Sequence, residues 1–554
     1  MANPYEPSMI MMISHWLPKC LIPVLLCTAT IAGPVQKAGL SLPKDASIHR
    51  DAVKEIFQES YAAYKKFAFG HDDLSPVSES FSDGRNGWGA SIVDAMSTMK
   101  IMGLNDLFSE AVNFSHNIDF SRSQTSDTVS VFESTIRYVG GLLSAYELGG
   151  KKDAVLVAKA KQLADKLSVG WLLQNQTIPF GEIDFSDDSP VISTSNIAEA
   201  GTLTLEWETL TKYTGNKTYT QLTEGAVRQI ANLPAPLPGL AAQGIDPTTG
   251  GFVGGYVTWG GGSDSYFEYL IKHARLSNTD DPLFVETWFT AVDSSIQHLL
   301  RTSTVGNHVY LADFDDSRTI RHVGSHLACF YGGNWLFGGK LLNNQTIVDI
   351  ALQLVDACWN TYASTATGIG PETFAFISSD GNFTGGSSIS ADQLSFYQQH
   401  GFYITGSDYI QRPEVLESNF YAWRATGDTK YLDRAASAIN SFNTFLPTTV
   451  AFAGINDVNN KNSSKIDDME SFWFAEVLKY LYLTFDDPDH ISLDTYVFNT
   501  EAHPFEAPKA KDVYGNGELK TTTEPFVLTQ GPPLPQISPN PNLPVPLKSL
   551  INPE

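Results

Sequence analysis

The chain is dominated by pairs of amphipathic segments joined by a tight turn that contains glycine. In "IRYVGGLLSAYELGGKKDAVLVAKAKQLADKL", apolar residues recur at steps of three and four, and Gly149 and Gly150 interrupt the pattern. This periodicity predicts two helices separated by a turn. "SNFYAWRATGDTKYLDRAASAINSF" repeats the arrangement, and we count about thirteen or fourteen helices in all. An isolated hairpin of helices leaves its apolar face uncovered, so neighbouring hairpins must cover it.

The spacing of these hairpins is irregular, which argues against a solenoid with a fixed repeat. We therefore expect an all-α fold in which the hairpins are arranged around a circle and close into a toroid over residues 46–506. Between the hairpins lie short segments that alternate in polarity or contain glycine, such as "GGFVGGYVTWGG" and "NHVYLADF". These segments predict small β-hairpins at one end of the toroid.

Both ends of the chain differ from the helical region in composition. The apolar run 21–31 is short for a membrane span and ends in small residues, so we expect residues 1–32 to be a secretory signal peptide. An uncleaved signal anchor is the alternative. Residues 33–45 are expected to be a linker. Residues 507–554 are rich in proline and lack a helical pattern, which predicts a flexible tail.

Cysteines and glycosylation sequons support the secretory route. Of the four cysteines, Cys20 and Cys27 lie in the signal segment, which leaves Cys329 and Cys358 as an even pair. In an oxidising compartment we expect this pair to form a disulfide. The Asn-x-Ser/Thr sequons are Asn113, Asn175, Asn216, Asn344, Asn382 and Asn462. Six sequons behind a signal segment predict a secreted protein, or one in the lumen of the secretory pathway.

The balance of charge limits the classes of partner. The chain has 61 acidic and 36 basic residues and a formal net charge of −25. Such a charge argues against nucleic acid and against stable association with anionic membranes. A neutral ligand or a cation is compatible with it, and we expect a monomer.

Acidic residues recur beside aromatic residues at the predicted starts of helices. Glu133 and Arg137 are four residues apart on one helix face, and so are Asp264 and Glu268. Taken singly, each pair is an ordinary surface pair or helix cap. The other acidic starts contain Glu199 and Glu206, Glu470 and Glu476, and the set Arg412, Glu414 and Glu417. If the hairpins close into a ring, these faces converge on one cavity.

A cavity lined by acids and aromatic rings suits a carbohydrate. Carboxylates accept hydrogen bonds from sugar hydroxyls, and two carboxylates that flank a glycosidic bond can hydrolyse it. A surplus of carboxylates also favours Ca²⁺, which takes oxygen ligands in irregular geometry. The spacing of a histidine-rich zinc site is absent, since His326 and His400 stand alone.

Six motifs lie between residues 132 and 505, within a region of overall resemblance that covers roughly residues 46–505. The motifs are "FESTIRYVGGLLSAYELGG", "GSDSYFEYLIK", "SHLACFYGG", "RPEVLESNFYAWRATGD", "MESFWFAEVLKYLYLTF" and "YVFNTEAHPF". In sequence and in order they resemble the signature segments of glycoside hydrolase family 47, the class I α-1,2-mannosidases, and most closely those of the secreted filamentous-fungal type. The resemblance implies an (α/α)7 barrel, one Ca²⁺ at the barrel floor, and hydrolysis with inversion of the anomeric carbon.

The resemblance also implies which residues bind the metal. Thr500, in "FNTEAHP", would bind Ca²⁺ through its carbonyl and hydroxyl oxygens. The remaining ligands would be water molecules held by carboxylates. These carboxylates would be Glu414, Glu417, Glu476 and Glu501.

For the reaction itself, the resemblance implies that Glu414 is the base that activates a water molecule. Glu133 or Asp264 would supply the proton to the leaving oxygen, and Arg137 would orient Glu133. An inverting reaction places the acid and the base about 6.5–9.5 Å apart.

Further residues would bind the substrate. Arg412 would hold Asp264 or the substrate, and His326 and Phe472 would line the sugar pocket. For His326, a buried core histidine is an equal alternative. The acidic side chains expected to bind substrate are Glu199, Glu206, Glu476 and Glu501.

One position departs from part of the family. Members that remove a single mannose have an arginine two residues before the aspartate of the "DSY" motif, where this chain has Gly262. Glycine leaves space in the cleft, so we expect broad trimming of high-mannose N-glycans, from Man9GlcNAc2 towards Man5GlcNAc2.

Two other functions stay open on the sequence alone. The first is a non-catalytic, calcium-dependent glycan-binding protein on the same barrel, although such a protein has no need for Glu133, Asp264 and Glu414 together. The second is a different helical-barrel glycosidase, which would not depend on calcium or on Thr500.

Overall fold

Two concentric rings of helices form the body of the protein. A computed structural model describes residues 32–171, 176–386, 388–521 and 524–529, and within them seven inner and seven outer helices form the rings. The inner helices are α2 (Ala90–Ile101), α5 (Gly140–Leu148), α8 (Thr204–Thr214), α10 (Asp264–Ser277), α12 (Phe330–Leu341), α15 (Glu414–Thr426) and α17 (Leu478–Phe485). The outer helices are α1 (Ala46–Phe67), α3 (Asn105–Ser115), α6 (Ala154–Leu167), α9 (Thr218–Asn232), α11 (Leu283–His298), α13 (Gln345–Ala363) and α16 (Lys430–Phe445).

Short helical segments precede several inner helices. The segments are α4 (Val131–Glu133) and the π-helical turn Ser134–Val139 before α5, α7 (Ile197–Gly201) before α8, the 3-10 turn Leu327–Cys329 before α12, and the π-helical turn Trp473–Val477 before α17. Helix α14 (Ala391–His400) packs against a strand instead of joining a ring, and Ser168–Trp171 forms a further 3-10 turn. The segments before α5, α8, α12 and α17 lengthen these inner helices at their N-terminal ends.

The inner ring closes on itself. Each inner helix packs against the next one along the chain, and the segment before α17 returns to α2. Each outer helix packs on the inner helix beside it in sequence, with α1 against α17. Helix α10 is buried from Asp264 to Leu276, because an inner helix is covered on both sides. This arrangement confirms the predicted (α/α)7 barrel.

Seven small antiparallel sheets accompany the helices in the described part of the chain. Their strands are β1 (Asp73–Ser75), β2 (Ser80–Ser82), β3 (Val129–Ser130), β4 (Glu182–Asp184), β5 (Ser189–Pro190), β6 (Ser195–Asn196), β7 (Gly244–Asp246), β8 (Gly251–Val253), β9 (Leu300–Thr302), β10 (Val309–Leu311), β11 (Asp313–Phe314), β12 (Ile320–Arg321), β13 (Val323–Ser325), β14 (Thr373–Ala375), β15 (Tyr403–Gly406), β16 (Tyr496–Phe498) and β17 (Pro504–Glu506). Strands β3 and β6 lead directly into α4 and α7. Sheets therefore lie at the N-terminal ends of the inner helices, as the sequence predicts.

The β16–β17 hairpin enters the ring from the opposite end. At its base, the backbone N–H of Glu506 donates to Glu147, near the C-terminal end of α5, at 2.6 Å. At its tip, the Asn499 side chain donates to the carbonyl of Ile136, more than two turns further towards the N-terminus of that helix, at 2.9 Å. The loop 499–503 is therefore inside the ring.

The segments that flank the barrel are docked where the structure describes them. Gln36, in the expected linker, is buried and accepts a hydrogen bond from Arg424 at 2.8 Å. In the segment predicted to be a flexible tail, Tyr514 is buried and donates to Asn278 at 2.7 Å, so the chain is docked on the barrel around this residue. The predicted signal peptide lies outside the described residues except for Ala32. Among the described helices, none has the length and apolar character needed to cross a membrane.

The predicted disulfide is present between Cys329 and Cys358. It joins the 3-10 turn before α12 to α13, and thus an inner helix to its outer partner. The sequons Asn113, Asn216, Asn382 and Asn462 are exposed, and Asn344 is half-buried. Asn175 lies outside the described residues.

Replacing Cys329 with serine should lower the stability of the barrel. The bond closes a loop with a sequence separation of 29, and the restriction of the unfolded chain by such a loop contributes about 3 kcal/mol. Chemical denaturation should show this loss for Cys329→Ser, and an equal loss for the double variant Cys329→Ser/Cys358→Ser. Two additive losses would show that the bond is not formed.

Candidate active site

A cavity among the N-terminal ends of the inner helices brings together acids from distant parts of the chain. Its acidic lining residues are Glu133, Asp264, Glu268, Glu414, Glu417, Glu476 and Glu501. Arg137, Arg412, Phe472 and Thr500 also line it. Most of the residues predicted to form the site therefore meet at one place in the ring.

Local structure explains why these acids are at helix starts. Asp264 and Glu414 are the first residues of α10 and α15, where the positive end of the helix dipole favours a carboxylate. The Asp264 carboxylate accepts the backbone N–H of Ser265 at 2.7 Å. The backbone N–H of Glu133 is capped by the Ser130 hydroxyl at 3.2 Å. Helix formation thus places each acid at the rim of the ring.

Arg137 connects three of the acidic elements. Its Nε donates to Glu133 Oε2 at 2.7 Å, as the four-residue spacing predicts. Its Nη1 pairs with Glu501 at the tip of the β16–β17 hairpin and lies 3.6 Å from Asp94 Oδ2. The guanidinium also lies over the Phe472 ring at 5.7 Å. Arg137 therefore orients Glu133 and holds the hairpin tip in the cavity.

Arg412 is held mainly by a residue that sequence reasoning missed. Its Nε donates to Glu372 Oε2 at 2.6 Å, and its Nη1 is 3.7 Å from Glu414 Oε1. The direct carboxylate partner is therefore Glu372 and not Asp264, which was one of the two expected partners, the substrate being the other. Glu372 precedes strand β14 in a segment without helical spacing, so no local pattern links it to Arg412.

Asp264 and Glu414, the two carboxylates at helix starts, both have raised pKa values. Burial raises the pKa of Glu414 to about 7 and the pKa of Asp264 to about 7. Glu414 Oε2 is buried, and the described residues offer it no hydrogen-bond partner. That oxygen can accept a proton from a water molecule in the cavity.

The other end of the cavity fits a cation that prefers oxygen. Burial and neighbouring carboxylates raise the pKa of Glu417, Glu476 and Glu501 well above the usual range. A positive ion beside Thr500 would relieve this repulsion. Within the described residues, no group of three His, Cys, Asp or Glu side chains has the geometry to bind a metal directly.

Three residues expected to bind substrate are not in the lining of this cavity. Glu206 is fully buried and accepts hydrogen bonds from Tyr269 at 2.6 Å and from Asn499 at 2.7 Å. Glu206 therefore holds the β16–β17 hairpin. We had expected it to contact the sugar, but it does not line the cavity. The hairpin tip occupies the level of the ring that Glu206 faces.

His326 also belongs to the wall of the barrel. It is fully buried, its Nε2 lies 3.2 Å from the Tyr362 hydroxyl, and its ring stacks on Tyr409. His326 is therefore a core histidine, which was the alternative to a residue of the sugar pocket. Glu199 is half-buried and accepts from Ser195 at 3.0 Å, and burial raises its pKa to about 8.

A buried ion network behind Glu133 was also missed by sequence reasoning. Arg85 pairs with Asp73 at 2.8 Å and with Glu470 at 2.9 Å, and its Nε is 4.0 Å from Glu133 Oε2. Arg85 precedes α2 in the glycine-containing segment "SDGRNGWG", which resembles an ordinary exposed turn. Its partners come from β1 and from the residues before α17, so the network appears only when the ring closes.

A closed ring of helix pairs around a cavity of buried carboxylates is compatible with a helical-barrel glycoside hydrolase. The sequence profile of glycosyl hydrolase family 47 matches residues 56–507, and the chain belongs to this family. The resemblance found in the motifs is thereby confirmed.

The match to named relatives covers nearly the whole length of those proteins. The chain is 40% identical over 515 residues to the probable mannosyl-oligosaccharide alpha-1,2-mannosidase 1B of Aspergillus clavatus, with 88% of this chain and 98% of the relative covered. It is 38% identical to the mannosyl-oligosaccharide alpha-1,2-mannosidase of Penicillium citrinum, with 87% and 97% covered. The alpha-1,2-mannosidase of Trichoderma reesei superposes with a TM-score of 0.80 at 37% identity, over 83% of this chain and 99% of that chain.

Replacing Arg85 with methionine should destabilise the whole barrel. The change leaves Asp73 and Glu470 buried without their cation, and removing one partner of a buried pair costs about 3–5 kcal/mol. Chemical denaturation measures the loss. The control Arg122→Met removes an exposed arginine side chain and should leave the free energy of unfolding within about 0.5 kcal/mol of the parent. Equal stability of both variants would contradict a structural role for Arg85.

Proposed function

We propose that the chain is a calcium-dependent, inverting exo-α-1,2-mannosidase that removes terminal α-1,2-linked mannose from high-mannose N-glycans. Membership of family 47 makes it a glycoside hydrolase, and the named relatives are α-1,2-mannosidases. The observation that carries the proposal is the buried Glu414, whose unpartnered oxygen shares one cavity with Glu133 and Asp264.

Hydrolysis with inversion needs a base, an acid and one water molecule. Glu414 takes a proton from the water as its oxygen bonds to the anomeric carbon and the glycosidic bond breaks. Of the two candidate acids, Asp264 is the better donor, because burial raises its pKa to about 7. Glu133 is held instead in an ion pair with Arg137. The leaving oxygen takes the proton of the acid, so charge and atoms balance.

Ca²⁺ belongs to the proposal as the ion bound by Thr500, with Glu417, Glu476 and Glu501 holding its water ligands. When bound, it supplies a positive charge that attracts sugar hydroxyls and fixes the ring. Glu501 would be shared between this water shell and Arg137. Phe472, in the same cavity, supplies an apolar surface for the sugar.

Broad trimming is proposed from Gly262. Its backbone is left-handed, with φ of 85°, a conformation that favours glycine. Its carbonyl accepts the N–H of Ala198 at 3.0 Å, which fixes the backbone of this loop. We propose that the protein acts as a monomer, outside the cell or in the lumen of the secretory pathway.

Replacing Glu414 with glutamine should abolish turnover and preserve binding. The change removes the base and little volume, so kcat on α-1,2-mannobiose should fall by several orders of magnitude. Calorimetry should still detect binding of the disaccharide. The control Glu59→Gln, an exposed change on α1, should behave as the parent. Full turnover by Glu414→Gln would refute its role as base, and binding without mannose release by the parent would favour a lectin.

Removal of calcium should reduce both activity and thermal stability. An ion at one hundred times its Kd stabilises the folded state by about 2.7 kcal/mol, so the melting temperature should rise when Ca²⁺ replaces a chelator. Thr500→Val should lose this shift, whereas the exposed Thr444→Val should retain it. A calcium-induced shift of equal size in Thr500→Val would place the ion elsewhere.

Digestion of Man9GlcNAc2 tests the breadth of trimming. Because position 262 carries no arginine side chain, the parent should proceed through successive intermediates to Man5GlcNAc2. Mass spectrometry of released glycans would follow the course. A lasting stop at one Man8 isomer would contradict the proposal.

A further inference from the structure

The loop 499–503 at the tip of the β16–β17 hairpin carries Thr500, the proposed calcium ligand. Thr500 is half-buried and lines the catalytic cavity, and the other four residues of the loop are buried. One of the two proposed ligand oxygens of Thr500 is its backbone carbonyl. The course of the loop backbone therefore decides where the ligand oxygens lie.

Side chains of the inner helices hold both sides of this loop. The backbone N–H of Thr500 donates to the hydroxyl of Tyr269, on α10, at 3.1 Å. His503 Nε2 lies 3.2 Å from Oδ1 of Asp94, on α2. The N-terminal side of the loop is therefore tied to α10 and its C-terminal side to α2.

Helix α17 supplies a further anchor between these two. Lys479 is fully buried, and its Nζ donates to the carbonyl of Ala502 at 2.6 Å. Among the described residues, this carbonyl is the one hydrogen-bond acceptor of the amine, and no carboxylate forms an ion pair with it. Burying an amine without an ion pair is costly, and an apolar side chain of equal length would fill the space at less cost. The amine is therefore there for its hydrogen bond.

The protonation state of Lys479 does not decide this role. Burial lowers the pKa of Lys479 to about 7, and a charged or a neutral amine can donate to a carbonyl. The position of the donor, rather than its charge, is what the loop uses.

Ala502 has a backbone conformation that alanine disfavours. Its φ is 55°, in the left-handed region, which is costly for a residue with a Cβ atom. Its backbone N–H donates to the carbonyl of Asn499 at 3.1 Å, so Ala502 closes the turn that contains Thr500. A hydrogen bond that holds Ala502 in this conformation also fixes the shape of the turn.

We propose that Lys479 is a positioning residue that holds the carbonyl of Ala502 and thereby keeps the turn Asn499–Ala502 in the shape that presents the oxygens of Thr500 to the cavity. Lys479 is not part of the cavity lining, so it acts through the hairpin backbone and not on the sugar. Its effect on calcium affinity rests on the proposed function.

Replacing Lys479 with methionine removes the donor and keeps a long, unbranched side chain. Calorimetric titration of the calcium-depleted protein with CaCl2 should give a Kd at least about tenfold higher than that of the parent, because changing a residue that orients a metal ligand costs about 10–100-fold in affinity. The matched control is Thr484→Val, which changes a buried hydroxyl on the same helix that donates to the Tyr480 carbonyl. It should bind Ca²⁺ with the parental Kd.

The direction of the change separates positioning from charge. Removing a positive charge near a cation site would by itself strengthen calcium binding, so a lower Kd in Lys479→Met would refute the proposal, and so would an equal Kd. Thermal unfolding checks that each variant is folded. If Lys479→Met does not fold, Lys479→Gln, whose shorter side chain does not reach the carbonyl, is titrated in its place under the same criteria.

Hydrogen exchange provides a readout that does not need calcium. Without Ca²⁺, the backbone amides of residues 496–506 should exchange faster in Lys479→Met than in the parent, because the loop loses an anchor. Thr484→Val should exchange at the parental rate in this segment. If the parent binds no Ca²⁺, the calcium part of the proposed function fails by itself. Unchanged exchange in Lys479→Met would then refute the role of Lys479 in holding the loop.

Discussion

The site depends on the ion pairs that the buried guanidinium of Arg137 forms. Carboxylates in a closed cavity repel one another, and an unpaired buried charge costs several kcal/mol. Arg137 compensates Glu133 on its own helix and Glu501 at the tip of the β16–β17 hairpin. Glu501 is 364 positions from Arg137 in the sequence. Arg85 and Arg412 act in the same way at other points of the rim. The contacts that balance the charge are therefore also contacts that close the ring.

Local sequence patterns were sufficient to predict the elements that carry the site. The three- and four-residue apolar spacing is a property of each helix by itself, so the helical hairpins follow from it. The pair Glu133 and Arg137 is also local, and its spacing predicted the ion pair found at 2.7 Å. Closure with seven inner helices depends on contacts between the ends of the chain. Periodicity does not predict the number of hairpins in the ring, and this number came from the resemblance of the motifs to the family.

Residues whose partners come from remote segments could not be predicted from the sequence. Glu372 and Arg85 lie in segments without helical spacing, and their roles arise only from Arg412 and from the residues before α17. Glu206 has the spacing of a cavity residue, yet the side chain of Asn499 reaches it from the inserted hairpin. Proline-rich composition likewise gave no indication that Tyr514 is buried against the barrel. In each case the deciding contact is tertiary.

The two ends of the cavity place different demands on the chain. At its floor, Thr500 is held by the hairpin, and its backbone N–H donates to the Tyr269 hydroxyl of α10 at 3.1 Å, so a change there disturbs a fully buried network. In the loop Gly260–Gly262 before α10, by contrast, the carbonyls accept hydrogen bonds from neighbouring elements. A substitution at the floor therefore disturbs buried side-chain partners, whereas the loop before α10 is fixed through its backbone alone.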